Sequence, residues 1–234
     1  MAATASCKFP LLDQWKEFSA KNPVLSLIDD VLSGYAQIAF NDNTFSAILS
    51  IDATYIASPT AAIAGLWATF VATIAAHILG VPKGAIKCGV YGFNSALAGL
   101  AIGILVVFPD TARLLLYSGL AGIFCVLFQA ALGELLSKWN VPSLALPYCI
   151  TMCLLIPATL TLGGLQASGI GQKLFEAGQT PGVWTSGEFV TAALNGIAQV
   201  LWVDKPLTGI LYLIAVLLAS RIDVISVIIG ATVS

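Results

Sequence analysis

The stretch Leu32–Asn43, LSGYAQIAFNDN, returns 162 residues later as LNGIAQVLWVDK, Leu194–Lys205. Laid over each other, Leu32, Gly34, Ala36, Gln37 and Asp42 meet Leu194, Gly196, Ala198, Gln199 and Asp204. The match runs on through Ile48, Leu49, Ala53, Ala57 and Ser58 against Ile210, Leu211, Ala215, Ala219 and Ser220, ten identities in 27 ungapped positions. Apolar composition alone rarely puts a glycine, a glutamine and an aspartate in matching places. The pattern reads as an internal duplication whose second copy has only begun at Ser234.

Composition sets the solvent. Charged residues make up 9% of the chain and hydrophobic residues 58%, against about 25% charged in ordinary soluble domains. That is too little polar surface for a soluble fold of this size, so the reading is an all-α, multi-pass protein of the lipid bilayer. The apolar runs are continuous and do not alternate, which selects helices over a barrel. A net charge of −2 gives no reason to expect nucleic acid. The N-terminus is mixed and polar without an apolar core, unlike a cleaved signal peptide. The five cysteines form no CxxC pair, and Cys149 and Cys153 read as packing residues.

In chain order, residues 1–23 form a soluble tail and residues 24–165 a first repeat. Residues 166–187 form a polar connector, and residues 188–234 the truncated beginning of a second repeat. Val24–Phe40 and Glu188–Trp202 are apolar segments interrupted by polar residues, in matching places of the two halves. Such segments point to re-entrant pore helices. Spans are predicted at Thr44–Ser58, Pro59–Leu79, Gly84–Phe108, Ala112–Ser137 and Ser143–Leu165, then at Pro206–Ser220 and from Ile222. With a cytoplasmic N-terminus, Lys8, Lys16, Lys21, Lys83, Lys87, Lys138 and Arg221 fall inside, and Arg113, Lys173 and Lys205 outside. Five crossings are odd, so the second copy enters the membrane upside down, an inverted repeat.

Two further stretches carry chemistry. In IKCGVYGFNSALAGLAIG, Ile86–Gly103, the glycines Gly92, Gly99 and Gly103 suit close backbone approach in lipid, and Asn94 needs a partner there. In KWNVPSLALPYCI, Lys138–Ile150, Pro142 and Pro147 free backbone carbonyls, which persist at depth only inside protein or beside a wet cavity. Asp52 sits in a predicted span, where a misplaced boundary or a neutral buried acid is expected. Asp29 and Asp30, at the entrance, have no basic partner near them in sequence. His77 has no second ligand at metal spacing, and no nucleophile–base pair, phosphate loop or metal cluster occurs. Neither an enzyme nor a cofactor is expected.

AQIAFNDN, VYGFNSALAGLAIG and SKWNVPSLALPY, followed by the restart AQVLWVDKPLTG, resemble the urea transporter family over residues 28 to the end. The resemblance implies a passive urea channel of the cell membrane, built of inverted repeats with five spans and a pore helix each. It also implies a homotrimer with one pore per protomer. A glutamine or glutamate on each pore helix supplies acceptors, and aromatic rings form slots, so these roles fall to Gln37 and Gln199, with Phe40 and Trp202. Phe93, Asn94, Leu146 and Pro147, from the second and third motifs, complete the expected substrate-binding set. Two departures stand out: Ala145 where the family has a threonine, and Trp202, bulkier than the expected ring. Urea, flat and neutral with four donors and one acceptor, would need such a line of acceptors to leave water.

Two other readings stay open: a channel for another small neutral or amide-like solute, and a non-conducting truncated subunit. An aquaporin-type pore needs an Asn-Pro-Ala pair, and the sole Asn-Pro, Asn22-Pro23, is followed by Val24. As it stands, the chain lacks counterparts of Val90–Gly103 and Leu144–Tyr148 in its second half, so the 234-residue form is expected not to conduct urea by itself.

Overall fold

The computed structural model describes residues 10–169 and 186–233. Lys8 and Cys7 of the tail, most of the connector with Lys173, and the side chain of Arg221 lie outside the described residues. Within the tail, Pro10–Ser19 forms a helix, α1, that is tied down: the Trp15 indole donates to Asp29 Oδ1 at 2.7 Å, and Lys16 pairs with Asp42 at 2.6 Å.

The helix α2, Pro23–Ala36, opens with Pro23 in its first turn and with Asn22 accepting from the Val24 amide. It ends in a 3-10 turn, Gln37–Ala39, closed by Phe40 in the left-handed region at φ 54°. The next helix, α3, Thr44–Ala57, runs alongside α2 in the same direction, because Thr44 bonds Asp29 at 2.7 Å while Tyr35 meets Thr54 at 3.4 Å. Two consecutive helices can be parallel neighbours only if the chain climbs back between them. The segment Gln37–Asn43 makes that return, so α2 enters and leaves by one end of the molecule. It is re-entrant.

The remaining elements are α4, Pro59–Ile78; a short α5, Lys83–Lys87; α6, Phe93–Leu105; α7, Thr111–Ser137; and α8, Leu146–Thr161. A two-residue ladder joins Val106–Val107 to Gln166–Ala167 at the end opposite α1. The second half holds α9, Ser186–Ala198; a 3-10 turn, Gln199–Leu201; α10, Pro206–Ala219; and α11, Arg221–Val233. Among the described residues only α4 and α7 are long and apolar enough to cross a membrane alone, and the α9–α10 pair is bent by 68°. A 14-residue helix such as α3 covers about 21 Å, short of the ~30 Å hydrocarbon layer.

Three sequence expectations change here. The predicted span Gly84–Phe108 is broken, its helix starting only at Phe93. Gly89 turns the chain at φ 72°, and a Cβ there would collide with the Ser33 carbonyl. Asp30, buried, has a basic neighbour after all, His77 at 3.3 Å on α4. Asp52 is neither at a boundary nor buried: it lies inside α3 on the exposed face, with Ile48 and Tyr55.

The duplication is present residue for residue. Shifting by 162 carries the first 3-10 turn onto the second, Phe40 at φ 54° onto Trp202 at φ 62°, and α3 onto α10 with the same first and last positions. The two copies meet along α3 and α10. Asn43, before α3, donates to the Leu218 carbonyl near the end of α10 at 3.1 Å, and Lys205, before α10, donates to the Ala57 carbonyl ending α3 at 2.9 Å. One turn in from the Lys205 bond, Thr208 donates to the Ala53 carbonyl at 3.1 Å. Each helix's start binds the other's end, so α3 and α10 are antiparallel and the repeat is inverted. Charges sort accordingly. Lys16, Lys21, Lys83, Lys87 and Lys138 lie at the α1 end, and Arg113 and Lys205 at the other.

Backbones touch where the motif glycines lie. A Cβ on Gly99 would meet Ala68 Cβ at 2.8 Å, and one on Gly103 would meet Ala61 Cα at 2.7 Å, which seats α6 on α4. A Cβ on Gly92 would lie 2.6 Å from Gly34 Cα, so the start of α6 rests on the end of α2. Gly92→Ala is therefore expected to lower thermal stability in detergent by about 1–3 kcal/mol through overpacking. Gly133→Ala, with nothing within 4 Å, should leave it equal or raise it by up to about 1 kcal/mol. Equal melting temperatures for wild type and Gly92→Ala would refute this contact.

Candidate functional site

Each 3-10 turn buries one residue, Ile38 or Leu201, in a cluster shared with α6. One apolar cluster contains Ala36 and Ile38 beside Gln37, Phe93 and Ala96 of α6, and Ala198 and Leu201 beside Gln199. Trp202 packs on this cluster and also on a second one, between α6, α7 and α8, that holds Cys125, Met152 and Leu155. The sequence motifs thus converge on one place, with α6 between the two re-entrant ends.

Gln37 is half-buried at the first position of its turn. Its amide nitrogen faces the carbonyl oxygens of Asn41 at 3.0 Å and Cys88 at 3.3 Å, which pins the turn to the segment before α6. Gln199, its equivalent, is exposed. Phe40 and Trp202 both hold left-handed backbone, a conformation that costs a non-glycine residue about 1–3 kcal/mol and clusters at functional sites. The Phe40 side chain is 69% exposed. Trp202 is half-buried, and its ring meets Tyr148 edge-on, centroids 6.4 Å apart at 60°. Phe93 is buried in the first turn of α6.

Asn94 is buried, and both of its donors and its oxygen are engaged. Its amide nitrogen donates to Gln129 Oε1 at 3.0 Å and to the Leu144 carbonyl at 3.1 Å, and its oxygen accepts the Tyr148 amide at 3.2 Å. The last bond supplies a cap that α8 lacks by itself, since the residue before its first turn, Ala145, has no polar side chain. Asn94 therefore holds the turn Ser143–Tyr148 in place. Both of its donors are spent on that turn and on Gln129. Pro147 is buried in the first turn of α8, and Leu146 beside it is exposed. Leu144, at φ 43°, is a further non-glycine residue in left-handed backbone.

Sequence reasoning missed Gln129, Ser143 and Tyr148. Gln129 had a usable signal, a lone amide within the long apolar run Leu114–Leu132, which hydrocarbon tolerates only with a partner. At the α1 end, a cavity of about 440 Å³ lined by Ser26, Asp30, His77, Lys83 and Lys87 opens beside the start of α2. Below it, the residues that line the convergence point are neutral. Such a site can offer amide and carbonyl groups between aromatic faces.

Comparison with known proteins agrees with the geometry. The family model described as "Urea transporter" matches residues 28–234. The chain is 30% identical over 225 residues to "Urea transporter 1" of Rattus norvegicus, covering 90% of this chain and 56% of that protein. It is 29% identical to "Urea transporter 1" of Mus musculus over 225 residues, and 27% to that of Ovis aries over 219 residues, with the same coverage. The chain spans about half the length of the curated relatives it matches. With the match running through both re-entrant turns and α6 between them, the chain belongs to the urea transporter family.

Proposed function

We propose that this protein provides a passive, selective pathway for urea across a cell membrane. The observation that carries the reading is that two equivalent 3-10 turns, entering from opposite ends, pack into one apolar cluster with α6. A pathway between inverted halves places its narrow part at their meeting point. There Gln37 and Gln199 offer amide oxygens, and Phe40, Phe93, Tyr148 and Trp202 offer flat faces. A planar neutral amide can exchange its water for those groups, whereas a hydrated ion finds no counter-charge. The reading carries with it a homotrimer with one pathway per protomer and a cytoplasmic N-terminus. The lysine-rich α1 end supports that orientation.

Passive flow follows from where the acids sit. Asp29 is engaged by Trp15 and Thr44, Asp30 by His77 at the entrance, and Asp52 lies on the outer face of α3. None of these three faces the convergence point, so none of them offers an ion or proton a group at which to couple there. In proteoliposomes of the full-length protein, urea flux should follow the urea gradient alone, unaltered by imposed sodium or proton gradients. Uphill accumulation driven by either ion would overturn the passive reading, and absence of any urea flux would overturn the substrate.

Gln37→Leu removes an acceptor at nearly constant size. A urea molecule passing Gln37 would leave a donor unpaired at about 1–3 kcal/mol, which corresponds to a fall in urea permeability of roughly five- to hundredfold. Water permeability should change far less, and the loss of the Asn41 and Cys88 contacts registers separately as a lower melting temperature. Stopped-flow light scattering on vesicles measures both permeabilities, and equal urea rates for variant and wild type would remove Gln37 from the pathway.

A further inference from the structure

Asn94 orients the Ser143–Tyr148 turn, but a side-chain amide fixed at only one end can swing. What fixes it is Gln129 on α7. Gln129 Oε1 accepts from Asn94 Nδ2 at 3.0 Å and from Ser143 Oγ at 3.2 Å, and Gln129, Asn94 and Ser143 are all buried. One oxygen therefore joins three elements, the start of α6, the middle of α7 and the first residue of the turn. The turn is held in a conformation it would not adopt alone, since Leu144 sits in left-handed backbone with its carbonyl taken by Asn94. Such backbone persists where its surroundings over-determine it. Beyond the turn, Tyr148 gives its amide to Asn94 and its ring to Trp202.

We propose that Gln129 is a positioning residue of the pathway. Through Asn94 and Ser143 it sets the depth of the Ser143–Tyr148 turn, and so the place where the Tyr148 ring meets Trp202, an aromatic contact that decides which planar amides pass. This rests on the pathway reading above, because Trp202 packs on the cluster that joins the two turns to α6. Loss of the shared acceptor leaves one of the two Asn94 Nδ2 hydrogens and the Ser143 hydroxyl unpaired, and the turn then relaxes toward ordinary backbone.

The test uses the full-length protein and two independent readouts: hydrogen exchange of the backbone amides of residues 143–148, and the ratio of urea to N-methylurea permeability. The ratio does not depend on how many channels are folded. Gln129→Met, which keeps length and removes the acceptor, is expected to speed exchange of the Tyr148 amide about tenfold and to shift the permeability ratio. Ser143→Ala, a milder change, should move both readouts in the same direction, and Ser143→Thr, which keeps Oγ, should restore them. Wild-type exchange in both Gln129→Met and Ser143→Ala overturns the positioning role whether or not urea permeates. Faster exchange with an unchanged ratio overturns its link to selection. A wild-type protein without urea flux would overturn the proposed function, while the exchange arm still decides the positioning.

Discussion

A helix that stops inside a membrane leaves amides and carbonyls that no water can reach, and each unpaired group costs several kcal/mol in hydrocarbon. Most of this structure answers that constraint. The α2 and α9 helices end at depth, and each tightens into a 3-10 turn whose last amide, of Phe40 or Trp202, returns to the glutamine that opens the turn. At α8 the start is the exposed end, and there the missing partner comes from another helix, as Asn94. The hydroxyls follow the same rule: Ser50, Thr54, Thr69, Thr73, Ser118 and Thr151 each donate to the carbonyl four residues earlier. Unwound backbone is affordable only because protein surrounds it, and glycine lets the protein come close enough. The contact of Gly34 with Gly92 places one broken helix directly on the start of another.

Inversion is the second organising fact, and it follows from sequence through parity and from structure through hydrogen bonds. An odd number of crossings flips the second copy. Once flipped, equivalent helices can lie antiparallel and exchange equivalent contacts, as the residue before α3 does with the end of α10 and the reverse. Asn43 and Lys205 are different side chains at equivalent positions, and both reach the carbonyls that end the opposite helix. The two copies also keep an unsettled polar group in common. Ser33 Oγ and Asn195 Oδ1, buried and without a partner among the described residues, are equivalent under the same shift of 162.

The large features were legible from composition and self-similarity because both are summed over many residues. Hydrocarbon excludes charge whatever the topology, and a repeat with glycine, glutamine and aspartate in register survives divergence of the apolar residues between them. The break before Phe93 was not legible. Cys88–Phe93 reads as a continuation of an apolar span, and what bends it is the backbone of Ser33, more than fifty residues earlier in the chain. The Asp30–His77 pair was hidden for the same reason, its partners 47 residues apart. Asn94 announced that it needed a partner without naming one. Its partners, Gln129 and the Leu144 carbonyl, come from elements whose proximity only the packed fold defines.

The bonds that join α3 to α10 span 148, 155 and 175 residues of chain. At a synthesis rate of about 5–20 residues per second, α3 emerges on the order of ten seconds or more before the helix that will satisfy it. During that interval the end carbonyls of α3 and the amide of Asn43 sit at or in the membrane without their final partners. The inverted pair is therefore also a clock on assembly. The first copy must be inserted and held without its α10 contacts, shielded by lipid headgroups, by water or by the insertion machinery, until the second copy arrives the other way up.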